Sequence, residues 1–114
     1  MKRIAVAALA TLAVLAVALP ATAATPPTYK GTVGPGFTIS MVTKPKKAGK
    51  IKLVIADKSG IHNFRLTGAG VSVKTSVPAV GSKTFTVTLQ KGKTYRFVCD
   101  PHSSSMRGSF KTAS

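Results

Sequence analysis

Four side chains in this 114-residue chain have the donor atoms for a soft metal ion: His62, Cys99, His102 and Met106. Three of them share one stretch, Cys99-Asp100-Pro101-His102-Ser103-Ser104-Ser105-Met106, a C-x₂-H-x₃-M spacing. The chain holds two histidines and one cysteine in all, so the set takes every one of them. Two imidazoles and a thiolate in a trigonal plane, with a weak axial thioether, are the donors of a type 1, or blue, copper site. The thiolate gives charge to Cu(II) and the soft sulfurs also accept Cu(I), so one geometry serves both oxidation states and single electrons move with little rearrangement. Zinc would use His62, Cys99 and His102 but leave Met106 without a role, and copper outcompetes zinc at such a site by intrinsic affinity. Taken singly, each residue has an ordinary reading: a half-buried histidine beside Asn63, an inert buried thiol, a loop histidine, a core methionine. Their joint spacing favours the metal.

Strands must bring these donors together. After a Pro- and Gly-rich stretch, residues 24–36, read as a flexible leader with at most a short strand around Tyr29 to Val33, the pattern has period 2. Phe37, Ile39 and Met41 share one phase, as do Ile51, Leu53 and Ile55. So do His62, Phe64 and Leu66; Val71 and Val73; Phe85, Val87 and Leu89; Tyr95, Phe97 and Cys99; and Gly108, Phe110 and Thr112. Turn residues separate the runs at 44–49, 57–60, 68–70 and 90–93. About seven short strands with this punctuation predict an all-β, Greek-key β-sandwich over residues 37–114. Cys99 and His62 lie in apolar phases and should point inward, whereas the loop that follows Cys99 links two strands.

The first 23 residues have the form of a cleaved signal peptide. Lys2 and Arg3 precede an uncharged run from Ile4 to Leu19, Pro20 ends it, and Ala21-Thr22-Ala23 is a small-residue cleavage site. The run is shorter than the roughly 20 residues that span a bilayer. The expectation is therefore export to the periplasm or beyond, with no membrane span in the mature form. One cysteine excludes an internal disulfide. Two acidic residues, Asp57 and Asp100, leave little room for paired-carboxylate catalysis. Neither a recognisable Ser-His-Asp arrangement nor a second histidine cluster for an oxidase is present, and an enzyme is not expected. The formal charge of +15, which becomes +13 without Lys2 and Arg3, predicts an anionic partner. Most lysines fall in turns or on outward phases, as on a solvated surface that also protects sheet edges.

The stretch from Tyr95 to Phe110, YRFVCDPHSSSMRGSF, resembles the C-terminal copper loop of cupredoxins, the plastocyanin/azurin family, and Ile61-His62-Asn63-Phe64 resembles that family's first-histidine segment. The resemblance runs from about Phe37 to Thr112. It implies a Greek-key sandwich with one copper ion at one end, held by His62, Cys99, His102 and Met106. It also implies that Asn63 ties the His62 segment to the loop at Asp100. Here three residues separate His102 from Met106, and Ser103–Ser105 make the loop more polar than is usual around the exposed histidine of an electron carrier. The function expected is a monomeric, exported electron carrier that docks on a redox protein with an acidic face. Two alternatives follow from the same residues: a copper delivery or buffering protein, suggested by the polar loop, and a metal-free cationic module that binds the cell envelope, suggested by the lysines. Specific nucleic-acid binding is not expected, because no aromatic-interleaved basic element appears.

Overall fold

A computed structural model describes residues 25–114, so the expected signal peptide lies outside the described residues. Among the described residues eight strands form: β1 (Thr28–Val33), β2 (Ile39–Met41), β3 (Gly49–Asp57), β4 (Arg65–Gly68), β5 (Val71–Lys74), β6 (Gly81–Leu89), β7 (Thr94–Val98) and β8 (Arg107–Lys111). A single 3₁₀ turn, Asp100–His102, interrupts them. No helix among the described residues is long and apolar enough to cross a membrane.

The strands make two four-stranded sheets, ordered β2-β1-β3-β6 and β5-β4-β7-β8. All neighbours are antiparallel except β1 and β3, which run parallel in a six-residue register from Thr28↔Lys52 to Val33↔Asp57. The alternation read from the sequence selects the inner faces. Ile51, Leu53 and Ile55 of β3 meet Leu66 of β4, Tyr95 and Phe97 of β7 and Phe110 of β8 in one core. Thr84, Thr86 and Thr88 of β6 face solvent. Phe64 stacks on Phe97 with ring centroids 5.5 Å apart, a contact worth about 1 kcal/mol beyond the area it buries. Phe97 also lies over Gly108, its cross-strand partner, where an added Cβ would come within 2.3 Å of the ring. A side chain at 108 would therefore push the ring out of the core.

Three expectations need correction. Residues 24–36 were expected to be a flexible leader with at most a short strand around Tyr29 to Val33; the strand is there, Thr28–Val33, but it is an inner strand of the sheet between β2 and β3, with Val33 fully buried. Pro26, Pro27 and Pro35 flank it and Gly31 lies within it, against Ile55 and Phe64, so its own residues carry a weak strand signal, and its main partner, β3, is distant in sequence. Phe37 shares the alternation of Ile39 and Met41 but not their burial: it is 64% exposed. Residues 35–37 bend before β2 begins, and the Gly34 N–H closes that bend on the Thr38 carbonyl at 2.9 Å. His62 and Phe64 precede β4 rather than belong to it, yet both keep the predicted inward phase.

The registers give the sandwich two ends. At one lie the chain after β1 and β3, the start of β4, the link from β5 to β6 and the β7–β8 loop. At the other lie the β2–β3 link, the β4–β5 and β6–β7 hairpins and the end of β8. The nine residues of β3 separate the two by about 27 Å.

Candidate metal centre

Cys99 follows β7 in the inward phase and is fully buried. The loop after it closes on itself through the backbone. The Cys99 N–H donates to the Met106 carbonyl at 3.0 Å, the His102 N–H to the Cys99 carbonyl at 3.1 Å, and the Met106 N–H to the His102 carbonyl at 2.8 Å. Pro101 sits in the first positions of the 3₁₀ turn, where its missing N–H has no partner to lose. Met106 is buried and His102 half-buried.

His62 comes from the other face of the site. It is fully buried, its N–H donates to the Ser59 carbonyl at 3.3 Å, and its ring edge lies against Gly34. A Cβ on Gly34 would stand 3.4 Å from His62 Cδ2 and 3.1 Å from Ser59 Cβ, and Gly34 has φ +73°. The positive φ favours glycine there, and the space leaves a Cβ only a tight fit.

The donor atoms converge. His62 Nδ1 and His102 Nδ1 are 3.1 Å apart, and Cys99 Sγ lies 3.7 Å from the first and 3.6 Å from the second. The point equidistant from all three lies about 2 Å from each, close to metal–imidazole bond lengths of about 2.0–2.1 Å. Three lone-pair donors face one small space, and a soft cation satisfies all of them at once. Compared with known families, residues 28–112 match the copper binding proteins of the plastocyanin/azurin family. The chain belongs to that family. No individual curated protein matches it.

A clamp joins the two halves of this cupredoxin's site. The Asn63 amide donates to Asp100 Oδ2 at 2.7 Å and to the Thr75 carbonyl at 3.3 Å, and its Oδ1 accepts the Asp100 N–H at 2.7 Å. The Thr75 hydroxyl accepts the Phe64 N–H at 2.9 Å. Asn63 thus ties the His62 segment both to the Cys99 loop and to the end of β5. The Arg65 Nε stands 3.1 Å from Asp100 Oδ1, which makes the only ion pair among the described residues. Sequence reasoning named Asn63 and Asp100 but missed Arg65 and Thr75. A lone arginine on an outward phase and a threonine after a strand carry no local signal, and only the pairing of β4 with β5 and β7 brings them to Asp100.

Two further features were not anticipated. Phe37 packs edge-on against both imidazoles, with centroids 5.3 Å from His62 and 4.9 Å from His102. Exposed Ile61 and Val80 lie at the same end, so this end has an apolar component despite the serines of the loop. Asp57 is buried at the end of β3. Its Oδ1 accepts the Ser59 N–H at 3.0 Å while Oδ2 has no partner, and His62 Nε2 is likewise buried without one. Desolvation raises the Asp57 carboxyl above its ordinary range, opposed by the Ser59 hydrogen bond and by the charge of His62.

Proposed function

We propose that this cupredoxin is a small exported electron carrier rather than an enzyme, and that it holds one copper ion in a type 1 site. His62 Nδ1, Cys99 Sγ and His102 Nδ1 would hold the ion, with the buried Met106 thioether as a weaker fourth donor. In this reading residues 1–23 are removed on export. The convergence of the three donor atoms within 3.1–3.7 Å of one another carries the proposal. Bound there, copper would supply a one-electron Cu(II)/Cu(I) couple. The chain's part is to fix the donors and keep water out. Buried His62 and Cys99 are held by packing and backbone hydrogen bonds, and the Asn63 clamp keeps the two halves in register. His102 is the less buried imidazole. With Phe37 beside it, it forms the natural contact for a redox partner, and an electron would pass through its ring.

The test is direct. Protein recovered after export and loaded with Cu(II) should show an intense visible band from thiolate-to-copper charge transfer, and Cys99→Ser should be colourless. A colourless protein that retains no metal on gel filtration, or a Cys99→Ser variant that stays blue, refutes the reading. Exposed Ser103–Ser105 support a second reading, copper delivery. Slow electron self-exchange with ready transfer of copper to a second protein would favour it over electron transfer.

A further inference from the structure

The charge of this protein is distributed along its long axis. The end opposite the metal centre carries Lys46, Lys47, Lys50, Lys91, Lys93 and Lys111, all exposed, whereas the Lys44 ammonium reaches back over the Phe97 ring, 5.9 Å from its centroid. Backbone hydrogen bonds gather their segments. The Ala113 N–H donates to the Lys46 carbonyl at 2.8 Å, the Thr112 N–H to the Lys93 carbonyl at 3.0 Å, and the Gly92 N–H to the Ala113 carbonyl at 3.0 Å. Buried Thr112 reinforces the junction, because its hydroxyl accepts the Lys93 N–H at 3.1 Å. Both acidic residues, Asp57 and Asp100, lie at the metal end, so no carboxylate side chain offsets these six lysines and none is in an ion pair. The metal end has five basic residues, Lys58, Arg65, Lys74, Lys83 and Arg107, set against both aspartates. The two ends are about 27 Å apart, several times the roughly 8 Å Debye length at physiological salt, so an anionic partner in contact with one scarcely feels the other.

We propose that the lysine end is a docking surface for an anionic phospholipid membrane, and that docking there points the metal centre away from the lipid. A cleft of about 530 Å³ at this end is lined by apolar Pro27, Tyr29 and Ile51 and by Lys46, Lys47 and Lys50. It offers apolar surface beside cationic headgroup contacts. The chain also enters the domain here: the Lys52 N–H donates to the Pro27 carbonyl at 2.9 Å. The proposal is independent of the copper reading, and metal-free and copper-loaded protein should behave alike.

The experiment is co-sedimentation of the exported protein, its N-terminus checked by mass, with large vesicles of phosphatidylcholine and phosphatidylglycerol (7:3) or of phosphatidylcholine alone. The 7:3 vesicles should bind it at 100 mM NaCl and release it at 500 mM, and neutral vesicles should not bind it. Each lysine near an anionic surface contributes about fivefold to partitioning, so the triple variant Lys46→Gln, Lys47→Gln, Lys50→Gln should lose about a hundredfold. The triple variant Lys58→Gln, Lys74→Gln, Lys83→Gln removes the same charge from the metal end and should lose less than about fivefold, since those positions lie beyond the screening length. Thermal unfolding confirms that both variants fold. Equal losses in the two variants, equal binding to neutral vesicles, or tighter binding to a 20-base-pair DNA duplex than to the vesicles would overturn the proposal.

Discussion

Replacing Asn63 with alanine should cost far more than breaking the neighbouring Arg65–Asp100 ion pair. The side chain is 2% exposed and makes three hydrogen bonds, two to Asp100 and one to the Thr75 carbonyl. A hydrogen bond contributes about 0.5–1.5 kcal/mol net, more when one partner is charged, and buried groups left unpaired add a further penalty. Asp100 is partly exposed, with 35% of its side chain accessible, so water takes over part of the lost bond and the charged bonus is discounted. The expected loss is about 2–4 kcal/mol, or a fall of roughly 10–25 °C in Tm for a domain of this size. Arg65→Ala breaks the neighbouring ion pair, whose side chains are 37% and 35% exposed; such pairs are worth about 0–1 kcal/mol. Chemical denaturation of the metal-free proteins separates the two variants, and copper competition titrations should show a 10- to 100-fold weaker affinity for Asn63→Ala. An Asn63→Ala variant within about 0.5 kcal/mol of the parent, or an Arg65→Ala variant that loses as much, would show that the clamp does not hold the site together.

Three other changes probe different parts of the same end. Gly34→Ala places a Cβ at φ +73° against Ser59 and His62; it should destabilise the fold by about 1–2 kcal/mol and shift the visible spectrum, and an unchanged spectrum would show that Gly34 does not set the His62 ring. Phe37→Glu replaces an exposed ring that touches both imidazoles, so it should leave Tm nearly unchanged while slowing electron self-exchange measured by NMR line broadening; self-exchange at the parent rate would remove Phe37 from the docking surface. Asp57 gives a pH-dependent test. Its carboxyl is raised in the folded protein above its ordinary value of 3.8, so as pH rises the unfolded chain loses its proton first, the folded state binds more protons, and stability falls between the ordinary value and the raised one. Asp57→Asn should remove that fall, gaining on the parent as pH rises above the ordinary carboxyl value in metal-free protein, and parallel Tm profiles would contradict the assignment.

By itself the sequence determined the inward residues of most strands and the contents of the metal loop. Both follow from local periodicity: a strand alternates its faces every residue, so Ile51, Leu53 and Ile55, or Tyr95, Phe97 and Cys99, declare one face without reference to anything distant. C-x₂-H-x₃-M is likewise local, because a loop of eight residues keeps its own donors close. What the tertiary structure decided is long-range. Whether His62 reaches Cys99 and His102 depends on the pairing of β4 with β7 and of the two sheets with each other, and no window of sequence contains those contacts. The short strand that the sequence allowed around Tyr29 to Val33 owes its inner place in the sheet to its parallel partner, β3, which no local window contains. Phe37 has the composition of a core residue and the position of a rim residue, because a bend before β2 takes it out of phase with the strand. The charge changed most. In the composition it is a single excess of basic residues; folded, it divides into an uncompensated lysine end and a metal end that holds both aspartates, because the loops that carry the lysines all turn at the same end of the sandwich.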